Sequence, residues 1–552
     1  MERFLPLILL SLFLVFSFGC ADSAPANEER VDEQVDERAP ADTEWVTLGE
    51  DGKLVYATDP RGNRVPDFSN AGYGGGGVAL PEVPTVIALM PTEGDQTARL
   101  QEAIDEIAAR EVRYEGFRGA LELGPGTFEV AGTIRITTSG IVLRGAGQDE
   151  DGTVIFASGD ERRTVIEFEG EGNRQEVSGT RREILDDYVP VGERAFEVRE
   201  NHGFEPGDTV VVHRPGTEAW ISAIGMDQIP PRDDGRPVHQ WQADRYGISY
   251  DRVVDSVDGN RITLDAPLFN AIDERFGGGY VYEYAFPGRI ENVGIENLKG
   301  ISEFSGEPED EDEDHAWVFI DFDKVENAWA RNITSRHFGF GLARALRHSK
   351  WVTIQDGICL DPVSQVRGGR RYPVYLYGQF ALVQRCYANY SRHDFGLSSQ
   401  THGPNVFLDC LGEESFADTG PHHRWATGAL FDNVRVPNHG IRIQNRLNLG
   451  SGHGWAGANM VVWNSEAGDI TIQNPPTAQN WGIGNIGPKR DGYGPGEDPY
   501  WQSHGERVQP DSLYLQQLSE RLGEDAVANI APEEELPIAQ RLDLSRLWEG
   551  EP

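Results

Sequence analysis

The stretch Gly119–Gly147 reads GALELGPGTFEVAGTIRITTSGIVLRGAG, and its pattern decides the fold class of the chain. Apolar and polar residues alternate over a few positions at a time, which is typical of a short strand with one buried face. Glycines interrupt the alternation at Gly124, Gly126, Gly140, Gly145 and Gly147. Because glycine permits tight turns, the stretch predicts short strands that follow one another around successive turns.

The segment just before it has a different period. Residues Gly94–Arg110 read GDQTARLQEAIDEIAAR. Leu100, Ile104 and Ile107 recur at the spacing that places them on one face of a helix. This segment therefore predicts an amphipathic helix that precedes the first strands.

Farther along the chain, short apolar-polar motifs recur with a loose period. They are IENL at Asn297, ARNI at Asn332, IQDG at Asp356, VQRC at Arg385, FLDC at Asp409, FDNV at Asp432 and VWNS at Asn464. Successive motifs are separated by 35, 24, 29, 24, 23 and 32 residues. A spacing near 24 suits one coil of a solenoid, and the longer spacings predict loop insertions. Each coil buries its inner face only by stacking on its neighbours, so one long domain is expected rather than several short ones.

The helix followed by glycine-rich strands resembles the opening of the pectate-lyase-like family of right-handed parallel β-helices, in which a helix caps the first coil. The resemblance extends over about residues 78–487. It implies an all-β fold, a right-handed parallel β-helix with an N-terminal capping helix, loop insertions and a short C-terminal helix. The family also includes epimerases, esterases and phage tailspikes, so the fold alone leaves the activity open.

The predicted domain boundaries follow from these patterns. Residues 44–487 are assigned to the β-helix and residues 488–552 to a C-terminal extension, whose helix is predicted within PDSLYLQQLSERLG, Pro510–Gly523. Residues Val191–Tyr282 are interpreted as coils with a long loop, Ser222–Tyr246, that overhangs a cleft. A separate small β domain in this region is the alternative.

The N-terminus predicts export from the cell. Arg3 precedes an apolar run that is short for a membrane span, and Gly19-Cys20 at its end resembles the cleavage site of bacterial lipoproteins. We expect residues 1–20 to be a signal peptide, Cys20 to be lipidated, and residues 21–43 to be a disordered acidic tether. The protein would then be anchored at the bacterial cell envelope, with plain secretion as the alternative. The remaining cysteines, three in number, predict no disulfide scaffold.

Charge is distributed unevenly along the chain. The formal net charge is −41, which argues against nucleic-acid binding because phosphate contacts need a broad cationic face. Residues 331–453 nevertheless contain fourteen Lys and Arg against eight Asp and Glu, together with eight of the 13 histidines. A cationic segment in an anionic protein predicts a site for a negatively charged ligand. An acidic polysaccharide is the expected partner, and the chain is expected to act as a monomer.

The densest group of polar and aromatic residues lies between residues 390 and 455, where glycines and prolines predict turns that present side chains. The candidate catalytic residues are Tyr390, His393, His422, His423 and Arg424. The candidate substrate-binding residues are His337, Arg371, Arg392, Asp418, Trp425, His439, Asn445, Arg446, His453 and Trp455, with the two tryptophans offering flat faces for sugar rings. The residues Arg367, Arg370, Arg371, Tyr372, Tyr375 and Tyr377 are interpreted as anion clamps near the cleft or as loop packing.

These residue types suit cleavage of a uronate-containing polysaccharide by β-elimination. The enzyme must neutralise the uronate carboxylate, remove the proton at C5 and assist departure of O4. Arg424, Arg392 or Arg446 is the expected neutralising group, and His393 or His423 the expected base. Tyr390 or His422 is the expected proton donor.

Other functions remain open at this stage. A glycoside hydrolase would take its carboxylates from Asp361, Asp394, Asp409, Asp418 and Asp432. A carbohydrate-binding surface protein without catalysis is the third hypothesis. No cofactor is required by the sequence. Calcium at the acidic run Glu307–Asp314 and zinc at His393, His422 and His423 are the metal hypotheses, although a solvated loop and a metal-free histidine cluster are favoured.

Overall fold

The computed structural model describes residues 43–149, 151–306 and 312–531. The predicted export signal, the lipidation of Cys20 and the acidic tether up to residue 42 lie outside the described residues. Most of the acidic run proposed for calcium, residues 307–311, lies outside them as well.

The chain winds as a right-handed parallel β-helix, as predicted. Each complete coil contributes one strand to each of three parallel sheets. The strands of the first sheet are Thr85–Leu89, Gly119–Leu123, Ile141–Arg144, Ala381–Gln384, His402–Leu408, Ala426–Asp432, Gly457–Ala458, Val461–Trp463, Trp481–Ile483 and Tyr500–Gln502. The strands of the second sheet are Gly126–Val130, Thr153–Ala157, Tyr387–Asn389, Leu411–Glu413, Arg435–Ile443 and Glu466–Ile472. Three long strands, Ile290–Ser302, Val325–Arg336 and Lys350–Leu360, run through both sheets.

The third sheet is the one that positions the candidate site. Its strands are Ile134–Ile136, Thr164–Glu169, Val318–Asp323, Gly341–Ala345, Val374–Leu376, Phe395–Leu397 and Gly420–Pro421, in this spatial order. All of the pairings between them are parallel. Residues at equivalent positions of successive coils therefore stand side by side, about 4.8 Å apart.

The repeated motifs of the sequence mark the bend between the first and second sheets. Asn297, Asn332, Asp356, Arg385, Asp409 and Asn464 all adopt positive φ angles between 45° and 59°. Asn and Asp tolerate this left-handed conformation better than most residues, which explains their recurrence. Neighbouring bends are also linked, because Asn332 Nδ2 donates to Asn297 Oδ1 at 2.9 Å. In the FDNV motif the bend residue is Asn433 rather than Asp432.

The predicted N-terminal helix is α1, Thr97–Ala108. Its buried residues include Leu100, Ile104 and Ile107, the face predicted from their spacing. These side chains join the core that fills the coils, together with Phe128, Phe168 and other residues of the first coils. The helix thus closes the N-terminal end of the solenoid.

The region from Val191 to Tyr282 differs from the prediction, because it does not form coils. Residues 171–288 leave the solenoid after the strand Thr164–Glu169 and return at Ile290. They form an antiparallel sheet of the strands Gln175–Glu176, Arg182–Glu183, Ala195–Glu197, Thr209–Arg214, Ile248–Asp258, Arg261–Leu264 and Tyr280–Ala285, with a second pair Tyr188–Val189 and Ile272–Asp273. Helix α2, Glu218–Ala223, and a 3-10 turn, Glu274–Phe276, complete this inserted β subdomain.

The inserted β subdomain packs on the outer face of the first sheet. Leu382, Val406, Leu430, Val461 and Trp481 stand in one row across that sheet and belong to the same apolar cluster as the inserted strands. Gly428 permits the close approach at φ 73°, since a Cβ at this position would lie 2.4 Å from Phe269. The structure thus agrees with the alternative interpretation, a small β domain. Sequence periodicity favoured coils because the inserted strands have the same short alternation.

The C-terminal boundary also differs from the prediction at residue 487. One more strand, Tyr500–Gln502, lies beyond this residue and pairs in parallel with Trp481–Ile483 of the first sheet, so the solenoid continues to Gln502. Helix α3, Leu513–Leu522, forms where predicted and packs against the side of the first sheet. Asp432 holds its start by accepting hydrogen bonds from Ser512 Oγ and Tyr514 N. Helix α4, Glu524–Ile530, follows.

The N-terminal residues cover the same side of the solenoid. The strands Val46–Leu48 and Leu54–Tyr56 form a hairpin, and a 3-10 turn spans Tyr73–Gly75. Trp45 stacks on Tyr500 with ring centroids 4.1 Å apart. Within residues 43–149, 151–306 and 312–531, no helix is long and apolar enough to cross a membrane. Cys359, Cys386 and Cys410 are free, buried thiols.

Candidate functional site

A cleft of about 630 Å³ lies over the C-terminal part of the third sheet. Its floor comes from successive coils, because Leu376, Leu397 and Pro421 are in register and the next residues, Tyr377, Ser398 and His422, all line it. The remaining lining residues are Arg232, Arg236, Phe340, Val366, Arg367, Gly368, Gly369, Tyr372, Tyr375, Arg392, His423, Arg446, Leu449, Gly450, Ser451 and His453. The site is therefore assembled from four neighbouring coils, the loop before Tyr372 and the inserted β subdomain.

The charges of this cleft are all of one sign. Five arginines line it, and none of its lining residues is an Asp or a Glu in the part of the chain described. The arginines are Arg232, Arg236, Arg367, Arg392 and Arg446. Asp234 pairs with the first two from outside at 2.5 and 2.6 Å, and Asp418 pairs with Arg446 from beneath the floor. A cleft with these properties attracts anions.

Tyr372 stands at the centre of the hydrogen bonds in the cleft. Its hydroxyl accepts a hydrogen bond from Arg392 Nη1 at 3.1 Å and lies 3.4 Å from His422 Nε2. Its ring stacks on His393 with centroids 4.9 Å apart and planes 26° apart. Burial raises the pKa of Tyr372 to about 12, with partial opposition from the charge of Arg392. The tyrosine is therefore a neutral proton donor at neutral pH.

Four histidines form a contiguous cluster beside Tyr372. The centroid of His422 lies 4.6 Å from that of His393, 5.2 Å from His423 and 5.0 Å from His453. Burial lowers the pKa of His422 well below its usual range, and it lowers the pKa of His423 to about 4 and of His453 to about 2 with help from neighbouring cations. All three lining histidines are thus neutral near pH 7, which is the form that accepts a proton.

A buried carboxylate supports the cluster from below. Asp418 accepts a hydrogen bond from Arg446 Nη1 at 2.7 Å, and its main-chain oxygen lies 2.5 Å from His393 Nδ1. Burial raises the pKa of Asp418, but Arg446 and His393 outweigh this effect and the net pKa is lowered to about 2. Asp418 therefore stays ionised and holds Arg446 in place.

One end of the cleft is bounded by two segments that are joined to each other. We call residues 447–453 the wall loop and residues 229–241 of the inserted β subdomain the arm. Asn448 Nδ2 of the loop donates to Pro231 O at 2.8 Å, and Arg232 Nη1 donates to Asn448 O at 3.0 Å. The predicted overhang of the segment Ser222–Tyr246 is thus confirmed, because Arg232 and Arg236 of the arm line the cleft.

Five of the fifteen site residues predicted from sequence line this cleft: Arg392, His422, His423, Arg446 and His453. Three others lie directly behind the lining. His393 contacts Tyr372 and His422, Asp418 pairs with Arg446, and Arg424 Nη2 donates to Ser451 Oγ at 2.6 Å. The structure therefore brings these eight residues together.

The remaining predicted residues lie elsewhere. Trp425 and Trp455 are 1% and 4% exposed, which removes the predicted sugar-stacking role. The inserted β subdomain covers both, since Trp425 Nε1 donates to Asn270 Oδ1 at 2.9 Å and Trp455 Nε1 donates to Ile224 O at 3.1 Å. Their flat faces therefore stabilise the contact between subdomain and solenoid rather than bind substrate.

Two further residues have structural roles. The buried guanidinium of Arg371 donates to Ser364 O at 2.9 Å, which holds the loop before Tyr372 and leaves no path to a ligand. Asn445 is also buried, and its Nδ2 donates to Pro495 O at 3.0 Å. Arg371 and Asn445 therefore stabilise loops and do not have the substrate-binding roles that the sequence predicted.

Tyr390, His337 and His439 do not line the cleft either. Tyr390 and His337 occupy left-handed bends at the ends of strands of the second sheet, at φ 47° and 69°. The His337 ring packs on Phe304, and His439 Nδ1 accepts a hydrogen bond from Gly440 N. These three residues therefore lie on turns of the solenoid outside the cleft.

Sequence reasoning did not include Arg232 and Arg236 among the site residues. The loop that carries them is predicted to overhang a cleft, and its basic residues are the signal that could have assigned them to an anion-binding site. Some of the residues interpreted either as anion clamps or as loop packing line the cleft, namely Arg367, Tyr372, Tyr375 and Tyr377. Arg370 instead pairs with Glu313 on the loop that precedes the third sheet.

Metal coordination finds no support in this arrangement. Among residues 43–149, 151–306 and 312–531, no group of three or more His, Cys, Asp or Glu side chains is placed to hold a metal ion. Of the acidic run, Asp312 accepts hydrogen bonds from Asp314 N and Ser305 N, and Glu313 pairs with Arg162 and Arg370. These carboxylates are committed to neighbours within the protein.

Comparison with known proteins gives matches among solved structures only, since no family model and no curated protein matches the chain. A tailspike protein from Pseudomonas phage LKA1 matches with 11% identity and a TM-score of 0.40, covering 75% of this chain and 74% of the phage protein. An alginate lyase from a Paenibacillus strain matches with 8% identity and a TM-score of 0.35, covering 76% and 99%. The A-module of an Azotobacter vinelandii mannuronan C-5 epimerase matches with 12% identity and a TM-score of 0.33, covering 76% and 94%.

Each complete coil contributes one strand to each of three parallel sheets, and this arrangement defines the fold. The chain is a right-handed parallel β-helix. Within this β-helix, the cleft occupies the outer surface of one sheet near the C-terminal coils. Its chemistry comes from side chains on turns and on an insertion, which a scaffold of this kind leaves free to vary.

Proposed function

We propose that this protein is a polysaccharide lyase that cleaves an acidic, uronate-containing polysaccharide by β-elimination in the cleft described above. The observation that carries the proposal is the composition of the lining: five arginines, three neutral histidines and three tyrosines, without a carboxylate among the described lining residues. This set contains a cation, a base and a proton donor, which are the three groups that the reaction needs.

Arginines supply the first requirement, which is neutralisation of the uronate carboxylate. Arg392 and Arg446 lie near the reacting groups, since Arg392 Nη1 donates to Tyr372 Oη and the charge of Arg446 helps to lower the pKa of His422. A guanidinium that binds the carboxylate withdraws charge and makes the neighbouring C5 proton more acidic. Arg367, Arg232 and Arg236 would bind carboxylates of adjacent sugars.

His422 and Tyr372 supply the second and third requirements. His422 Nε2 takes the proton from C5, the electrons of that bond form the C4=C5 double bond, and the bond from C4 to O4 breaks. Tyr372 Oη then gives its proton to O4, and its pKa of about 12 ensures that it carries one. The two groups are 3.4 Å apart, so they act on one face of the sugar ring.

Hydrolysis is disfavoured because a glycoside hydrolase ordinarily needs two carboxyl groups on either side of the scissile bond. The candidate carboxylates for that reaction were Asp361, Asp394, Asp409, Asp418 and Asp432, and none of them lines the cleft. Asp361 pairs with Arg336 at 2.9 Å, Asp394 accepts from Ser415 Oγ at 2.7 Å, and Asp432 holds helix α3.

The first prediction concerns the product. Incubation with mannuronate, glucuronate and galacturonate polymers is expected to release an unsaturated uronate, measured by the ultraviolet absorbance of its conjugated double bond. Mannuronate or glucuronate polymers should react faster than polygalacturonate, because their C5 hydrogen and O4 lie on the same face of the ring. New reducing ends without this absorbance would instead indicate a hydrolase, and binding without either product would indicate a carbohydrate-binding protein.

The second prediction concerns pH. The base must be deprotonated, so activity is lost as pH falls through its pKa in the free enzyme. Because burial lowers the pKa of His422, the acid limb of kcat/KM should lie below the ordinary histidine value of about 6.5. The measurement is kcat/KM from pH 4 to pH 9 at constant ionic strength, the range being roughly that in which side-chain acids and bases titrate. An acid limb centred on the ordinary histidine value would remove His422 from the role of base.

A further inference from the structure

We propose that the enzyme binds the end of a polysaccharide chain rather than its middle, because the wall loop and the arm close the cleft at one end. The expected catalytic consequence is the release of short fragments from the chain end, and this consequence rests on the proposed lyase function. The closed end itself is a property of the described residues, and it can be tested by binding alone.

The direction of the bound chain follows from the register of the third sheet. The residues that line the floor come from successive coils, from Phe340 through Tyr375 and Ser398 to His422. Coils are spaced by about 4.8 Å, so the cleft is longest along the axis of the solenoid. A polysaccharide that contacts all of these residues must therefore run along that axis.

Beyond His422 the path is blocked by the wall loop. Leu449, Gly450, Ser451 and His453 line the cleft at this end. The ring centroid of His453 lies 5.0 Å from that of His422 and 5.1 Å from that of His423. The wall is thus in direct contact with the proposed base, which leaves room for only a short piece of chain on that side.

The wall loop is held in place by hydrogen bonds to the arm. A loop that opened to let a polysaccharide chain pass would not require these contacts. Besides the two hydrogen bonds that join Asn448 to the arm, His239 N donates to Ser451 O at 3.0 Å. Trp241 Nε1, which is buried, also donates to Gly452 O at 3.3 Å. Gly452 has a φ angle of 89°, and a Cβ on it would lie 2.7 Å from His239 O of the arm. Only glycine fits this contact, so loop and arm form one packed unit.

At the opposite end the arrangement differs. Phe340 is the lining residue farthest from the wall along the sheet. The third sheet continues past it through the strands Val318–Asp323, Thr164–Glu169 and Ile134–Ile136. The acidic side chains on this outer surface are paired with arginines, Asp321 with Arg344 and Glu167 with Arg135. The remainder of a long substrate would leave the cleft over this surface.

The third prediction tests end binding with labelled ligands. Mannuronate tetrasaccharides carrying a bulky fluorophore at the reducing end, at the non-reducing end or at neither end are titrated with the full protein. One of the two labelled forms should bind about as tightly as the unlabelled ligand and the other at least about tenfold more weakly, because its label meets the wall. Equal binding of both labelled forms, or equal weakening of both, would overturn the proposal.

A matched pair of variants tests whether the wall causes the difference. The double variant Arg232→Ala with Asn448→Ala removes two of the three side chains whose hydrogen bonds join the loop to the arm, leaving that of Trp241. It should reduce the discrimination between the labelled forms at least about threefold. Asn438→Ala is the control, because its Nδ2 donates to Glu414 Oε1 on the exposed surface outside the cleft and no change is expected. Unchanged discrimination in a folded double variant would overturn the role of the wall.

Product sizes separate this inference from the proposed function. If both hold, short unsaturated fragments appear from the first turnovers while the viscosity of the polymer falls slowly. Early unsaturated fragments of intermediate length would overturn end binding and leave the lyase function intact. One-sided binding without any unsaturated product would support the closed end and overturn the lyase.

Discussion

Tyr372→Phe is expected to lower kcat by about a hundredfold or more while KM changes little, because a positioned general acid contributes about 10²–10⁴ to the rate. The substitution removes only the hydroxyl that lies between Arg392 Nη1 and His422 Nε2. The ring, which stacks on His393, stays in place, so the fold should be preserved. The measurement is steady-state kinetics by absorbance of the unsaturated product, with circular dichroism and thermal unfolding to confirm folding.

Tyr390→Phe is the matched comparison for this variant. The sequence left Tyr390 and His422 as the candidate proton donors, whereas Tyr390 is 44% exposed and lies outside the cleft. Turnover close to that of the unchanged protein is expected for it. The assignment of Tyr372 fails if Tyr372→Phe retains most of its kcat, and the opposite ranking of the two variants would restore the sequence-based choice.

Asp418→Ala is expected to lower the free energy of unfolding by about 3–5 kcal/mol, because it leaves a buried guanidinium without its partner. The side chains of Asp418 and Arg446 are only 9% and 8% exposed, and they pair at 2.7 Å. Denaturant unfolding followed by circular dichroism measures the loss. Activity should fall as well, since Asp418 holds an arginine of the cleft in position.

Asp361→Ala provides the control for this prediction. Asp361 also pairs with an arginine, Arg336 at 2.9 Å, but these side chains are 36% and 41% exposed. An ion pair in water contributes about 0–1 kcal/mol, so a small change is expected. If the two variants lose similar stability, burial does not determine the contribution of the Asp418 pair.

The ion pair between Asp418 and Arg446 should also make the stability of the protein depend on pH. The pKa of Asp418 is lowered to about 2 in the folded protein, below the value of about 3.9 for an unfolded chain. Its contribution to stability is therefore present above the unfolded value and is lost as pH falls through the folded value. The difference in unfolding free energy between the unchanged protein and Asp418→Ala should accordingly shrink below about pH 4.

Local patterns in the sequence determined the solenoid. The apolar face of α1, the glycines after it and the recurring bend residues such as Asn297 and Asn332 each depend on neighbours within a few positions. Stacking then repeats the same local unit, so a period in the sequence becomes a period in space. The cationic, histidine-rich segment likewise indicated the part of the chain that carries the cleft, because charge is a property of composition.

Tertiary structure decided which of these side chains share one surface. Arg392 and His422 line the cleft while Tyr390 and His337 do not, because the side on which a residue emerges depends on the length and bend of each turn. Trp425 and Trp455 are covered by a subdomain that precedes them by more than a hundred residues, and the same subdomain brings Arg232 into the site. No local pattern encodes such long-range contacts, since they arise only when distant segments pack against each other.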